Sequence, residues 1–423
     1  MIENKGDIPK WVLFTVAICS VLLLTDPHSS LTTIALISAS LLLMPYPVAF
    51  IPLIMVSSVS SSITVVPGLA AIFYYIPLYL LSCIIRKKRK VRIKNFLPLI
   101  FVFAFWLLVS SYNSVSGETA LALRMLIAII PLAFGALFIM NLRDLNKLMV
   151  ITAIFSSIYI IAKLIYSPIL YSTGDELVMT SVNSGLTIAK EINQNTLAQF
   201  LLINYLIVFV SAIEQKKNLL FLFCLPQLSS MLLTGSRTIF LSAIIISLIV
   251  FILSTSISKT KKIALILVIL FLGSSIMGFI VQTNSRMAFD TIIEDRGSGR
   301  FDTWEKLFQY TIPDNLLLGI GFGRENYTRL GYLVDGDNLY VDILTQLGLV
   351  GLIIFFYLLF TIFFNLRKIK TPYSKVAQSL ILFILLGGIG ETMFDSFLCW
   401  YVIFFCAITI VGSKFIGNQF IKG

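Results

Sequence analysis

The feature that most limits what this chain can fold into is the recurrence, from end to end, of apolar runs long enough to cross a bilayer. A hydrocarbon core of about 30 Å takes about 20 apolar helical residues. Apolar runs between charged and turn punctuation fall near 9–25, 30–46, 47–62, 65–85, 95–112, 118–140, 147–167, 193–213, 217–233, 236–255, 262–282, 341–365, 375–393 and 396–416. The second and third of these fourteen are short and rich in Pro and Ser (Pro45, Pro47, Pro52, Ser57 to Ser62), as re-entrant or tilted helices would be, so twelve to fourteen spans are expected. Soluble domains carry roughly 25% charged residues. This chain has 13%, against 58% hydrophobic residues and a mean hydropathy of +0.94. That balance excludes an ordinary soluble enzyme and predicts an all-α, polytopic integral membrane protein.

Orientation follows from where Lys and Arg collect, because positively charged loops stay cytoplasmic. With the N-terminus inside (Lys5, Lys10), fourteen spans bring Arg86–Lys94, Arg143 and Lys147, Lys216 and Lys217, Lys259–Lys262, Arg367–Lys375, and Lys414 and Lys422 to one side. These inner segments hold 22 Lys and Arg and only four acids, Glu3, Asp7, Asp144 and Glu214. Both termini are therefore expected in the cytoplasm. The net charge of +11 reads as a belt facing anionic lipid head groups, not as a nucleic-acid signature. The first apolar run leads into Asp26-Pro27-His28 without a small-x-small cleavage site and is read as a retained helix.

The residue types present narrow the chemistry. Cys19, Cys83, Cys224, Cys399 and Cys406 all lie inside apolar segments without a CxxC pair, and His28 is the single histidine. Neither a disulfide framework nor a thiolate or imidazole metal centre is supported. No metal and no cofactor is expected, and any chemistry must use carboxylates, arginines, lysines and hydroxyls.

Polar material concentrates in one place. The reading divides the chain into a transmembrane bundle of about eleven spans at 1–282, a large outer loop at 283–340 and about three further spans at 341–423. A smaller outer loop covers 168–192. A connection as long as 283–340 in a compact protein is usually functional. Within it Phe301, Trp304, Leu307, Phe308 and Thr311 recur at helical spacing, with Glu305, Lys306 and Gln309 on the other face, which predicts a helix lying on the outer leaflet and ended by Pro313. Gly319, Gly321 and Gly323 follow as a flexible turn. That run lacks the preceding strand and the spacing of a dinucleotide fingerprint.

Charges within apolar segments need a reason, since each costs about 2.5–3.5 kcal/mol at mid-membrane on insertion scales. Arg124 lies two turns inside the sixth segment, Lys163 is near the outer end of the seventh, and Arg237 opens the tenth in Thr234-Gly-Ser-Arg237. With Arg300 and Arg286 or Arg324 from the large loop, several cations converge at one depth, the pattern of a site for an anionic ligand at the outer membrane boundary. The plainer readings are that Lys163 snorkels to head groups, Arg237 touches lipid phosphate, and Arg124 pairs with Glu118 or Glu391.

Three stretches resemble the bacterial O-antigen polymerase and O-antigen ligase superfamily. Leu233-Thr-Gly-Ser-Arg-Thr238 is similar to its Ser-Arg motif. Gly299-Arg300-Phe-Asp-Thr-Trp304, followed by Asn315-Leu-Leu-Leu-Gly-Ile-Gly-Phe-Gly323, is similar to the Gly-Arg, Trp and Gly-x-Gly run of its periplasmic loop. Asp337-Asn338-Leu-Tyr340 leading into Leu347-Gly-Leu-Val-Gly-Leu352 is similar to the His-Asn-x-Tyr and Gly-Leu-x-Gly close of that loop. Ligases of this family carry a histidine where this chain has Asp337, a departure that favours a polymerase.

The resemblance implies a GT-C-like glycosyltransferase of the bacterial inner membrane with a periplasmic active site. It implies that a glycan on undecaprenyl diphosphate is passed to the non-reducing end of a second lipid-linked repeat unit, with undecaprenyl diphosphate leaving. A co-polymerase that sets chain length is the implied partner. A diphosphate leaving group needs its developing charge stabilised, which guanidinium groups can do without a metal. Arg124, Arg237 and Arg300 are the candidate clamp, with Lys163, Arg286, Arg324, Asn338 and Trp304 as further donor- or glycan-binding candidates. The acceptor hydroxyl must lose a proton as the bond forms, which calls for a positioned base. Asp337 is that candidate, with Asn338 orienting it or the sugar, and Glu118, Asp342, Glu391 and Asp395 are rivals. Asp337 and Asn338 are equally suited to cap the next helix. A single displacement by the acceptor predicts inversion at the anomeric carbon. The alternatives are an O-antigen ligase or related glycan transferase, and a lipid-linked oligosaccharide flippase. A transporter would show repeats and interrupted helices in matching halves, and no half-to-half similarity is present.

Overall fold

In the computed structural model the described residues are 8–25, 30–59, 64–66, 69–70, 81, 85, 97–112, 114, 142–166, 171–172, 176–177, 194–234, 236–254, 260, 263, 300–332, 336–391, 393 and 397–420. They form helices α1 (Lys10–Thr25), α2 (Ser30–Leu43), α3 (Phe50–Val59), α4 (Leu97–Tyr112), α5 (Leu142–Tyr166), α6 (Gln194–Glu214), α7 (Phe221–Leu233), α8 (Arg237–Leu253), α9 (Arg300–Lys306), α10 (Arg324–Arg329), α11 (Leu339–Arg367), α12 (Pro372–Gly387) and α13 (Phe397–Phe420). Two small antiparallel ribbons pair Thr64–Val66 with Leu69–Ala70 and Tyr171–Ser172 with Glu176–Leu177. The first ribbon corrects the helical start expected for the span at 65–85, most of which lies outside the described residues. β-Branched residues around Pro67-Gly68 favour a hairpin over a helix start there.

Helix α6 is the axis of the bundle and packs against α5, α7, α8 and α12. Its apolar window is 94% buried, whereas that of α11 is 39% buried. These two are the described helices long and apolar enough to cross a membrane, and eight further apolar helices of 10–17 residues lie among the described residues. Helices α11 and α12 pack on each other and on α13, α11 also packs on α4, and α1 and α3 close around α5. Outward faces are as apolar as the core. Phe101, Phe105 and Leu108 are exposed on α4, and Ile353, Tyr357, Phe360 and Phe364 on α11. Helices that are hydrophobic on every side suit a lipid solvent.

Polar side chains tie the interior together. Asn204 of α6 donates to Ser156 of α5 at 3.1 Å, Gln227 of α7 donates to Ser157 at 2.8 Å, and the Tyr205 hydroxyl meets that of Ser247 on α8 at 2.8 Å. Each partner removes the cost of an unpaired polar group in an apolar interior.

The helix ends sort by charge. The starts of α6, α8 and α11 and the ends of α7 and α12 gather at one end of the bundle. At the opposite ends of α6, α11 and α12 stand Lys216, Lys217, Arg367, Lys368, Lys370 and Lys375. Local sequence explains the turn at that basic end, where Thr371 caps α12 through the amide of Ser374 at 3.3 Å with Pro372 in the first turn.

Helix α11 is not one straight rod. Gly348 has φ 68° and ψ −177°, which splits it into a short half at 339–347 and a long half at 349–367. The long half runs about 28 Å at 1.5 Å per residue, the thickness of a hydrocarbon core. The short half, with Asp342, Thr345 and Gln346 buried in it, therefore sits at the end of that span and not within it. The continuous segment expected at 341–365 is corrected accordingly.

Candidate functional site

The break in α11 frees carbonyls that a straight helix would use internally, and the glycine run supplies their partners. Ile320 donates to the Thr345 carbonyl at 2.9 Å and Gly321 to that of Gln346 at 3.1 Å, while Leu349 donates back to Leu316 at 2.7 Å. From α4, Trp106 Nε1 donates to the Leu347 carbonyl at 2.8 Å and the Ser110 hydroxyl to that of Gln346 at 2.6 Å. Gly323 donates to Gln346 Oε1 at 3.0 Å. Glycine is required by this close approach: a Cβ on Gly319 would stand 2.3 Å from the Gln346 oxygen, and one on Gly348 would stand 2.2 Å from the Leu317 oxygen. The flexible turn expected at Gly319–Gly323 is thus a fixed brace, with the amides of Ile320, Gly321 and Gly323 bonded to α11 and that of Gly319 to Asn315.

A second brace carries the approach to α11. Asp342 is fully buried, and its Oδ1 accepts from the Tyr327 hydroxyl and the Gly336 amide, each at 2.9 Å. Burial, reinforced by the Asp342 charge, pushes the Tyr327 phenol well above its usual range, so it remains a donor. The indole N–H of Trp304 donates to the Gly336 carbonyl. The helix expected around Phe301 to Thr311 forms as α9 continued by a π-helical turn over Leu307–Thr311, and its apolar face with Trp304, Leu307 and Ile312 packs on Tyr327 and Val341.

These braces hold Asp337 in place. Its backbone is left-handed, φ 44°. Asn338, not Asp337, caps α11: its Oδ1 accepts from the amides of Tyr340 at 2.9 Å and Val341 at 3.1 Å, and its Nδ2 donates to the Ile389 carbonyl. The Asn338 amide is engaged on both sides and leaves the Asp337 carboxylate to turn toward Arg300.

The centre of the site is one guanidinium between two carboxyl groups. Arg300 Nε donates to Asp337 Oδ2 at 3.3 Å, and Arg300 Nη2 lies 3.8 Å from Glu391 Oε1. The side chains of Arg300, Asp337 and Glu391 are 22%, 39% and 5% exposed, so the site opens on the Asp337 side and closes on Glu391. Glu391 comes from the connection after α12. That connection is pressed onto its neighbours, with Leu339 donating to the Gly388 carbonyl at 2.8 Å and Gly390 so near Thr238 that a Cβ would lie 2.4 Å from its hydroxyl. Ser236, just before α8, donates to Glu391 Oε1 at 3.3 Å, and Asn195 at the start of α6 also bonds the carboxyl. Burial pushes Glu391 up to about 8; the Asp337 charge adds to this, while Arg300, Ser236 and Asn195 oppose it.

Of the residues expected from sequence, Arg300, Asp337, Asn338 and Trp304 come together here. Arg237 follows Ser236 at the first position of α8, beside the site. Lys163 lies in α5 and Arg324 opens α10. Arg124, Arg286, Glu118 and Asp395 lie outside the described residues. Glu391 was legible only as one of several outer carboxylates. Ser236 was marked only as the serine of the Ser-Arg pair, while Asn195 carried no signal. Among the described residues no cluster of metal-ligating side chains is found.

Chemically, the arrangement presents a partly exposed guanidinium with an open carboxylate at its Nε and a buried carboxyl near its Nη2. That is an anion site with an adjacent proton acceptor. Comparison with known families bears on which anion. Residues 220–356, about a third of the chain, match the family model described as O-antigen ligase. A search of curated proteins finds no match. The matched stretch contains the Ser-Arg pair, Arg300, Trp304, the glycine brace and Asp337, the residues on which the resemblance to the O-antigen polymerase and ligase superfamily was drawn. Over this stretch the chain is similar to the family described as O-antigen ligase.

Proposed function

We propose that the protein is an O-antigen or related surface-polysaccharide polymerase of the bacterial inner membrane. It takes a glycan from undecaprenyl diphosphate and joins it to the non-reducing end of a second lipid-linked repeat unit on the periplasmic face. The observation that carries this reading is the Arg300–Asp337 pair, held within the matched stretch at the end of the bundle opposite its basic loops. Under the positive-inside rule those basic ends are cytoplasmic, which puts the pair on the outer side, where lipid-linked repeat units are joined.

In this mechanism the Arg300 guanidinium binds the diphosphate and stabilises the charge that develops as it leaves, with Arg237 alongside. Asp337 accepts the proton of the attacking hydroxyl, and a single displacement inverts the anomeric carbon. The presence of Asp337 where ligases of the superfamily have a histidine supports polymer formation over ligation. A chain-length partner is part of the proposal.

Deleting the gene in its own bacterium and resolving the surface glycan on a gel tests this. Collapse of a ladder to one repeat unit on its final carrier supports polymerisation, and failure of Arg300→Ala to complement ties it to this site. Polymer that still forms but stays on undecaprenyl diphosphate would make the protein a ligase, and single units stranded on the cytoplasmic face would make it a flippase.

A further inference from the structure

Arg300 alone does not make this cluster attractive to an anion. Its single positive charge faces two carboxyl groups, Asp337 at 3.3 Å and Glu391 at 3.8 Å. With both ionised the three groups carry a net negative charge, in a place too enclosed for water to screen it well. Each ionised carboxyl there opposes the entry of a diphosphate, which Arg300, with Arg237 beside the site, has to offset.

The contacts distinguish the two carboxyls. Asp337 is 39% exposed and accepts a hydrogen bond from the guanidinium, so both water and Arg300 reach it. Glu391 is 5% exposed, and its nearest guanidinium nitrogen, at 3.8 Å, is beyond hydrogen-bond reach. Its bonded partners are the neutral side chains of Ser236 and Asn195. Among the described residues, these two neutral side chains and one guanidinium at 3.8 Å are what oppose the effect of its burial, which outweighs them.

We propose that Glu391, behind Arg300, is protonated when the donor binds at the guanidinium, so that the anion and one proton enter the site together. The proposal rests on the reading of Arg300 as the diphosphate site. The same carboxyl when ionised would repel the phosphate through Arg300's side of the site, which makes Glu391 a gate on donor affinity. No covalent bond changes in this step, and the proton returns to solvent when the anion leaves. The groups facing Glu391 are Asn195 from α6, Ser236 and Thr238 with Arg237 between them in sequence from α8, Arg300 from α9, and Asp337 from the approach to α11. Both arginines stay charged throughout the range of interest. Burial already holds Glu391 up to about 8, and a bound anion raises it further by linkage.

The test is binding of undecaprenyl diphosphate to the full-length protein in phosphatidylcholine nanodiscs between pH 7.5 and 9.5, a window above the titration of the diphosphate itself. The neutral-headgroup disc keeps lipid phosphate constant. Wild-type affinity is expected to fall by about tenfold per pH unit at the alkaline end, and Glu391→Gln to bind with little pH dependence. Calorimetry in buffers of different ionisation enthalpy counts protons without any variant, and about one proton taken up per diphosphate at pH 8.5 is expected. Zero proton uptake, a pH-flat wild type, or a Glu391→Gln protein that keeps the alkaline fall or loses binding at every pH would overturn the proposal. If Arg300→Ala binds as tightly as wild type at pH 7.5, the diphosphate-site reading fails instead.

Discussion

Arg300 and Asp337 meet at 3.3 Å between Nε and Oδ2, and the aspartate reaches that contact from a left-handed backbone with φ 44°. A non-glycine residue in that region costs of order 1–3 kcal/mol and persists only where its surroundings over-determine it. Here they do: the Gly336 carbonyl is held by Trp304, the Gly336 amide by Asp342, and Asn338 caps α11. The strain is spent on aiming one carboxylate at one guanidinium.

The fork of Arg300 is expected to matter more than its charge. A lysine cannot bond Asp337 and present a second pair of donors to a phosphate at once. Arg300→Lys and Arg300→Ala should both cut polymer formation, the latter by about 10²–10³-fold by analogy with loss of one charge-stabilising donor, with protein level and single-repeat products unchanged. Long chains of normal amount from Arg300→Ala would end its role as the clamp.

For Asp337, backbone and side chain can be separated. Asparagine tolerates the left-handed region and glycine prefers it, whereas alanine does not. Asp337→Asn and Asp337→Gly should unfold near the wild-type temperature, and Asp337→Ala about 1 kcal/mol less stably than the glycine variant. All three should lose polymer. Full activity in Asp337→Asn would exclude Asp337 as the base.

Gly348 tests the fold. Alanine there would need φ 68° and would put its Cβ 2.2 Å from the Leu317 oxygen. Thermal unfolding in detergent should show a loss of more than about 2 kcal/mol. Leu349→Val, two atoms away from the break but without the positive φ, should be mild by comparison.

Glu391 gives stability a pH dependence of definite sign. Its carboxyl titrates at about 8 in the folded protein against an ordinary value of 4.5, so the native state holds a proton that the unfolded state has released. This contribution is fully present below about pH 4.5 and is lost as pH rises through about 8. The melting temperature should therefore decline across that interval, and Glu391→Gln should flatten the decline. An identical slope in wild type and variant would mean that Glu391 is not the group responsible.

Much of this protein is legible without coordinates, because the relevant signals are local. The apolar runs, the basic ends of α6 and α11, the helix at Phe301–Thr311 and the Thr371-Pro372 start of α12 each depend on residues within one or two turns of one another. Composition alone points to a highly apolar helical chain, and the Ser-Arg, Gly-Arg and Asp-Asn stretches already mark the segment that matches the O-antigen ligase family. What no local pattern contains is the meeting of distant ends. Glu391 differs little in sequence from Glu118 or Asp395, and only the packing of the connection after α12 against α8, α9 and α11 brings it to Arg300 and buries it. The same is true of Gly348, which reads as an ordinary helical glycine until Leu316, Leu317 and Trp106 are seen crowding the break. Helix formation answers to neighbours in the chain; burial, the charge state of Glu391 and the aim of Arg300 answer to neighbours in space, and those are set by the tertiary fold alone.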